Sequence, residues 1–201
     1  YVLVPDYLTA PTVRFPVAEQ QCYDVYRWAV SHGHEHGWDG RRVSVGGPSA
    51  GAKLAISIVQ QALDHGFRVP VALSTENGTV DLARSDGLRI SPATRPIVTR
   101  DLMTLVRTTY FAGANLRSPA VSPFYETRLA DFPPTLVLTA EFDTLTAEMR
   151  EFSDRLSAAG VAVTYREFAG VDHGFTHAEP VAVAREALRL IAEHVRAAYE
   201  A

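Results

Sequence analysis

The chain has 201 residues, of which 47% are hydrophobic and 21% charged, which is ordinary usage for a folded globular domain. This length fits one domain or a large part of one, and the composition excludes wholesale disorder, collagen and coiled coil. Lys plus Arg is 19 and Asp plus Glu is 23, and the resulting net charge of −4 argues against a general nucleic-acid binder. No apolar run reaches the ~18 residues of a membrane span, and the single cysteine, Cys22, excludes an internal disulfide. A cytoplasmic location fits these features and leaves secretion open.

The first third of the chain alternates between apolar runs of strand length and segments of helical period. Apolar residues recur at spacings of four, three and four from Ala18, which predicts a helix with one buried stripe. The predicted elements are, in chain order, a buried strand at Tyr1–Val4, a helix from Val17 that ends at Gly33 and Gly37, a strand at Arg42–Gly46, a helix over 50–64 and a strand at Val69–Leu73.

Residues 76–117 break this alternation. Turn signals such as Asn77-Gly78 and Asp86-Gly87 interrupt any long period, and a helix is predicted only from Arg100 to Phe111. Long loops are uncommon unless they are functional, so we interpret this segment as a lid-like insertion in one domain that covers 1–201. Its apolar side chains either line an acyl pocket or pack the helix onto the core; they are Leu102, Met103, Leu105, Val106 and Phe111.

The alternation then resumes to the end of the chain. The predicted elements are a strand at Thr135–Ala140, a helix around Met149–Ala159 that stops at Gly160, a strand at Val161–Phe168 and a final helix opened by Pro180. Strands that are almost continuously apolar and alternate with helices predict an α/β fold with a mostly parallel sheet flanked by helices.

A G-x-S-x-G pattern lies at Gly47–Gly51, between a predicted strand and a predicted helix. In that context the pattern is typical of a nucleophilic serine on a sharp turn, where only small neighbours fit. The turn would place Ser49 at a helix N-terminus, whose free N–H groups favour developing negative charge. The alternative is an ordinary Gly-Ser turn that ends a strand.

A serine nucleophile needs a base and an orienting carboxylate. His173 follows the last predicted strand and Asp143 follows the strand at Thr135–Ala140, so both are expected at the carboxyl edge of the sheet with Ser49. Glu141 and Asp172 are rivals for the acid, although a residue next to the histidine rarely folds back to its own ring. The order Ser, Asp, His along the chain is the order of the α/β-hydrolase arrangement.

With these motifs in place, the chain resembles the hormone-sensitive-lipase-like branch of the α/β-hydrolases, the bacterial carboxylesterases, from Val2 to about Val195. The matching stretches are Val4–Pro11 against a D-Y-R-L-A-P-E pattern, Phe15–Trp28 against the following helix, Gly47–Gly51 against a G-D-S-A-G elbow, Ser122-Pro123, Phe132–Pro134 and Thr139–Asp143 against the acid segment, and His173–Phe175 against the histidine loop.

This resemblance implies that Ser49 is the nucleophile, Asp143 the acid and His173 the base, and that the N–H of Ala50 is an oxyanion donor. It implies hydrolysis of small to medium acyl esters through an acyl-Ser49 intermediate, with no metal and no cofactor. It also suggests homodimers.

Three departures from the family pattern qualify this expectation. The family's H-G-G-G oxyanion loop does not occur in these 201 residues, and Pro48 replaces the Asp of the elbow. A family strand that would lie between Tyr1–Val4 and Arg42–Gly46 is also missing, so we expect the chain alone to be poorly folded or inactive.

Three alternatives therefore stay open at this stage. The first is a hydrolase-fold protein that binds a ligand or another protein without turnover. The second is an enzyme whose triad hydrolyses amides or lactones instead of simple esters. The third concerns a histidine-rich segment. His32, His34 and His36 form either a solvated loop or a metal site, and Cys22 is expected to be a buried, inert thiol.

Overall fold

The computed structural model describes residues 1–200, and in that range four strands form one parallel sheet in the order β1-β2-β3-β4. The strands are β1 (Val45–Pro48), β2 (Leu73–Glu76), β3 (Thr135–Ala140) and β4 (Val163–Phe168). The helices are α1 (Val17–His36), α2 (Ala50–Asp64), α3 (Arg100–Thr109), α4 (Thr146–Ala158) and α5 (Val181–Glu200). Within residues 1–200, no helix is both long and apolar enough to cross a membrane.

The helices cover both faces of the sheet. On one face, α2 and α4 pack on the strands through residues such as Val59 and Phe152, which are fully or almost fully buried. On the other face, α5 covers β3 and β4. Helix α1 packs against α2. All six residues of β3 are buried, as expected for a central strand covered on both faces. The predicted α/β class with a parallel sheet is therefore confirmed.

Strand positions were predicted unevenly. The prediction for β3 has the observed bounds, whereas β1 and β2 begin three and four residues later than expected. The apolar run at 69–72 leads into the sheet, but paired β2 continues through the polar residues Ser74, Thr75 and Glu76. The buried hydroxyl of Thr75 is satisfied inside the sheet, where it donates to the carbonyl of Leu136 at 3.3 Å.

The prediction of a buried strand at Tyr1–Val4 is wrong. Tyr1, Val2 and Val4 are 85–90% exposed, and this segment has no strand conformation. An apolar run forms a strand only beside a partner that takes up its backbone hydrogen bonds. Here a groove of about 730 Å³ lies between this segment and β1.

That groove follows the open edge of β1. The amide of Ser49 donates to the carbonyl of Glu76 in β2 at 2.7 Å, and the amide of Val45 donates to the carbonyl of Ala72, the residue before β2, at 3.0 Å. Because donors alternate between the two edges of a strand, the positions of Gly46 and Pro48 face away from β2. Proline has no N–H to donate. Pro48 occupies a strand position whose N–H is not needed for the hydrogen bonds to β2.

Helix α1 runs through Gly33 and ends at Gly37, whose φ is +85°. The expectation that Gly33 helps to end this helix is wrong, because the helix continues to His36. A Cβ on Gly33 would lie 2.7 Å from the Gly40 amide nitrogen. That glycine allows a close approach of the chain after the helix.

The segment His32–His36, which was predicted to be a solvated loop, lies in this helix. Within residues 1–200, no group of three potential ligands is placed to hold a metal. Cys22 is buried on this helix, and burial raises the pKa of its thiol to about 11.

A buried ion pair joins α1, α2 and the insertion. The Lys53 ammonium donates to Glu19 at 2.7 Å and to the carbonyl of Ala120 at 2.9 Å, and the two charged side chains are 5% and 3% exposed. The rings of Phe15 and Phe111 flank the ammonium at 5.4 Å each. Burial lowers the pKa of Lys53, and the Glu19 carboxylate opposes that shift. Such a pair fixes the relative positions of the elements that it joins.

The turn from β1 into α2 brings backbone atoms close together. Ser49 has a φ of +53° and a ψ of −117°, an unusual conformation for a residue with a side chain. A Cβ on Gly47 would lie 2.9 Å from the Gly51 carbonyl carbon, whereas a Cβ on Gly51 would meet only the Pro48 ring, at 3.6 Å. The first glycine of the motif is therefore required by close backbone contact, and the second is not.

We expect Lys53→Met to lower the free energy of unfolding by about 3–5 kcal/mol, because it leaves the Glu19 charge buried without its partner. Adding Glu19→Gln, which keeps an acceptor for the Tyr110 hydroxyl, should recover more than half of that loss. Urea unfolding of the parent, the single variant and the double variant measures both effects. A single variant as stable as the parent would contradict the importance of the pair.

The two motif glycines should respond to alanine with opposite signs. Gly47→Ala should lower the free energy of unfolding by about 1–3 kcal/mol, since backbone atoms must move to admit the methyl group. Gly51→Ala, in the first turn of α2, should raise it by roughly 0.5 kcal/mol, because alanine loses less backbone freedom. Denaturant titrations of the two variants give the comparison, and equal effects would refute this account of the turn.

Candidate active site

Three predicted side chains come together at the carboxyl edge of the sheet. Ser49 follows β1, Asp143 lies three residues after β3, and His173 lies in the loop after β4. Because all four strands are parallel, the loops after their carboxyl ends lie along one edge. Side chains 124 and 30 residues apart in the chain are thereby in direct contact.

Two short hydrogen bonds connect the three residues. The Nε2 of His173 lies 2.7 Å from the Oγ of Ser49, and its Nδ1 lies 2.7 Å from the Oδ2 of Asp143. An ionised carboxylate only accepts hydrogen bonds, so it places the imidazole proton on Nδ1. The Nε2 lone pair is then free to accept the hydrogen bond from the serine hydroxyl.

Asp143 is held firmly in this position. Its carboxylate is 2% exposed, and its second oxygen accepts the backbone N–H of Leu145 at 3.0 Å. The side chain of His173 is 13% exposed, so the imidazole is partly accessible while its carboxylate partner is enclosed. Such an arrangement fixes the ring by its Nδ1 side and leaves the Nε2 side for chemistry.

The two rival carboxylates bind backbone instead of the imidazole. Glu141 accepts the N–H of Gly170 at 2.7 Å. Asp172 accepts the backbone N–H of its neighbour His173 at 2.7 Å and that of Ile97 at 2.9 Å. Of the three acids considered from the sequence, the structure brings Asp143 to the ring and uses the other two to hold the loop.

The backbone around the serine offers a hydrogen-bond donor. Ala50 is the first residue of α2, and the amides of the first helical turn have no acceptor within the helix. The helix dipole adds positive potential at the same place. An anion that forms beside the Oγ of Ser49 would meet this N–H.

The insertion is tied to the loop that carries Asp143. The Ser91 hydroxyl donates to the Phe142 carbonyl at 2.5 Å, and the Thr144 hydroxyl donates to the Val98 carbonyl at 3.0 Å. In the predicted lid helix α3, Met103 is buried in a separate small core, whereas Leu105 is 56% exposed. The helix thus packs through one side, and its role as a lid stays a prediction.

Sequence reasoning missed a fourth group at this edge. Glu76 ends β2, is 5% exposed and accepts a hydrogen bond from the Thr176 hydroxyl at 2.6 Å. Burial raises the pKa of Glu76, while the Thr176 hydroxyl and the charges of His177 and His173 partly offset that rise. No clear signal for it was present in the sequence, because Ser74 and Thr75 separate Glu76 from the apolar run that ends at Leu73. Glu76 was overlooked because β2 was predicted to end there.

Comparison with known proteins places this geometry in context. A family model described as the alpha/beta hydrolase fold matches residues 1–177. The esterase LipI of Mycobacterium tuberculosis is 30% identical over 92% of this chain, and an acetyl-hydrolase of Streptomyces hygroscopicus is 30% identical over 90% of it. The chain covers 59% of the length of each of these relatives.

A solved structure gives the same result. The esterase of Pyrobaculum calidifontis superimposes with a TM-score of 0.89 at 31% identity, over 98% of this chain and 66% of that protein. The predicted family is therefore confirmed by sequence and by fold. The chain belongs to the alpha/beta-hydrolase family, and it is similar to members of that family that are named esterases.

Proposed function

We propose that this chain carries the catalytic centre of a serine carboxylesterase. The observation that carries the proposal is the continuous hydrogen-bonded chain from the Ser49 hydroxyl through His173 to Asp143, with 2.7 Å at each step. A serine activated in this way by a base that a third group orients is the signature of nucleophilic catalysis. The similarity to proteins named esterases supports an ester as the substrate.

The geometry supports a two-step reaction. As the Oγ of Ser49 attacks the ester carbonyl, Nε2 of His173 takes the hydroxyl proton, and Asp143 stabilises the imidazolium. The carbonyl oxygen becomes an oxyanion, to which the Ala50 N–H donates. Collapse expels the alcohol, which leaves with the proton from His173, and acyl-Ser49 remains.

Water then completes the cycle. His173 takes a proton from the water as its oxygen attacks the acyl carbon, and the second tetrahedral species breaks down to the acid and free Ser49. We infer small to medium acyl groups, in keeping with the similarity to an acetyl-hydrolase. The chain spans 59% of the length of that relative.

Ser49→Ala should lower the hydrolysis of p-nitrophenyl butyrate by about 10⁴-fold or more and abolish covalent labelling by a fluorophosphonate. Ser44→Ala is the matched control, because its hydroxyl contacts Tyr199 at 2.8 Å and not His173. If the parent is labelled at Ser49 and hydrolyses an amide or a lactone but no ester, its substrates are amides or lactones. Undiminished ester hydrolysis by Ser49→Ala would refute it, and ligand binding without labelling would favour a protein that binds without turnover.

The choice among the three carboxylates has its own test. In Asp143→Asn the amide NH₂ faces Nδ1 of His173, so the imidazole proton moves to Nε2. A protonated Nε2 can no longer accept the proton of the Ser49 hydroxyl. We therefore expect kcat to fall by about 10⁴-fold. Glu141→Gln keeps an oxygen acceptor for the Gly170 amide and should stay within a few-fold of the parent. Steady-state kinetics of both variants at one pH decide the matter, and the reverse ranking would assign the acid to Glu141.

A further inference from the structure

Glu76 is a buried carboxyl at the centre of the site edge, and the mechanism above does not use it. It is in register with Pro48 of β1 and with Leu138 of β3, neither of which carries a charge. A glutamate that is only 5% exposed in a central strand is rare unless it has a partner. Its partner is the Thr176 hydroxyl, 2.6 Å from Oε1.

Thr176 lies three residues after His173, in the short turn Phe175–His177. The turn is anchored on one side by Phe175, which is 2% exposed and packs against the Phe168 ring with 4.9 Å between centroids. It is anchored on the other side by the hydrogen bond from Thr176 to Glu76. These two contacts fix the segment that follows the imidazole.

The contact of Glu76 with the histidine loop, through Thr176, is separate from the contacts that hold His173 directly. Around His173 itself, Asp143 holds the ring and Asp172 holds its backbone N–H.

We propose that Glu76 is a positioning residue for His173: by accepting the Thr176 hydroxyl it fixes the histidine loop against β2. This inference rests on the proposed function, since it assigns a role within the same reaction.

Thr176→Val removes the hydroxyl and keeps the shape, so it tests the hydrogen bond. We expect kcat for p-nitrophenyl butyrate to fall about 10-fold or more, since a small displacement of a catalytic group is costly, while KM changes less than about twofold. Thr176→Ser restores the hydroxyl and should restore kcat. A valine variant with the kcat of the parent would overturn the positioning role.

Glu76→Leu removes the acceptor and should lower kcat to a similar degree as Thr176→Val, because both variants lose the same hydrogen bond. The double variant should lower kcat no further than either single variant. Losses that add in the double variant would show that the two residues do not act through this hydrogen bond, and would overturn the positioning role of Glu76.

A measurement without turnover separates this inference from the proposed function. The low-field proton resonance of the His173 Nδ1–H reports its hydrogen bond to Asp143 and needs no substrate. We expect it in the parent and in Thr176→Ser, and expect it to be lost or broadened in Thr176→Val. A parent that does not react with a fluorophosphonate would defeat the proposed function alone, whereas an unchanged resonance in the valine variant would overturn the inference about Glu76.

Discussion

The backbone of Ser49 is the constraint on which the site depends. This residue has a positive φ because β1 must turn directly into α2, and the close contact of Gly47 with Gly51 leaves little room for another path. The hydrogen bond from its amide to the Glu76 carbonyl ties the strained residue to β2. Strain of this kind persists only when the surrounding structure over-determines it. The serine hydroxyl is therefore positioned by the sheet and not by its own side-chain preferences.

The strand order converts this local constraint into a site. From one strand to the next, the same edge carries Ser49, Glu76, Asp143 and His173 in turn. No two of these are close in sequence, so their arrangement depends on the register of a parallel sheet with a fully buried central strand. Two polar residues that do not contact the ring, Glu141 and Asp172, then hold the histidine loop by its backbone. The chemistry of the edge and its rigidity thus use different carboxylates.

Much of this arrangement could be predicted from local patterns. The strand β3 and the helix α2 were predicted with their observed bounds, because each has a long apolar pattern and a clear end signal. The contact of Ser49 with His173 followed from the parallel sheet. The error at Tyr1–Val4 has a different origin, since an apolar run does not reveal whether a neighbouring strand is there to pair with it. Glu76 was missed because the polar end of β2 has none of the pattern that marks its apolar start.

The position of Pro48 has a consequence for any strand that pairs with the side of β1 that faces away from β2. Backbone N–H groups on that side belong to alternate residues, Gly46 and Pro48, and proline has no N–H. A strand paired there would therefore accept a hydrogen bond from Gly46 and none from Pro48. The residue that departs from the usual serine motif thus ends the ladder on that side, directly before the nucleophile.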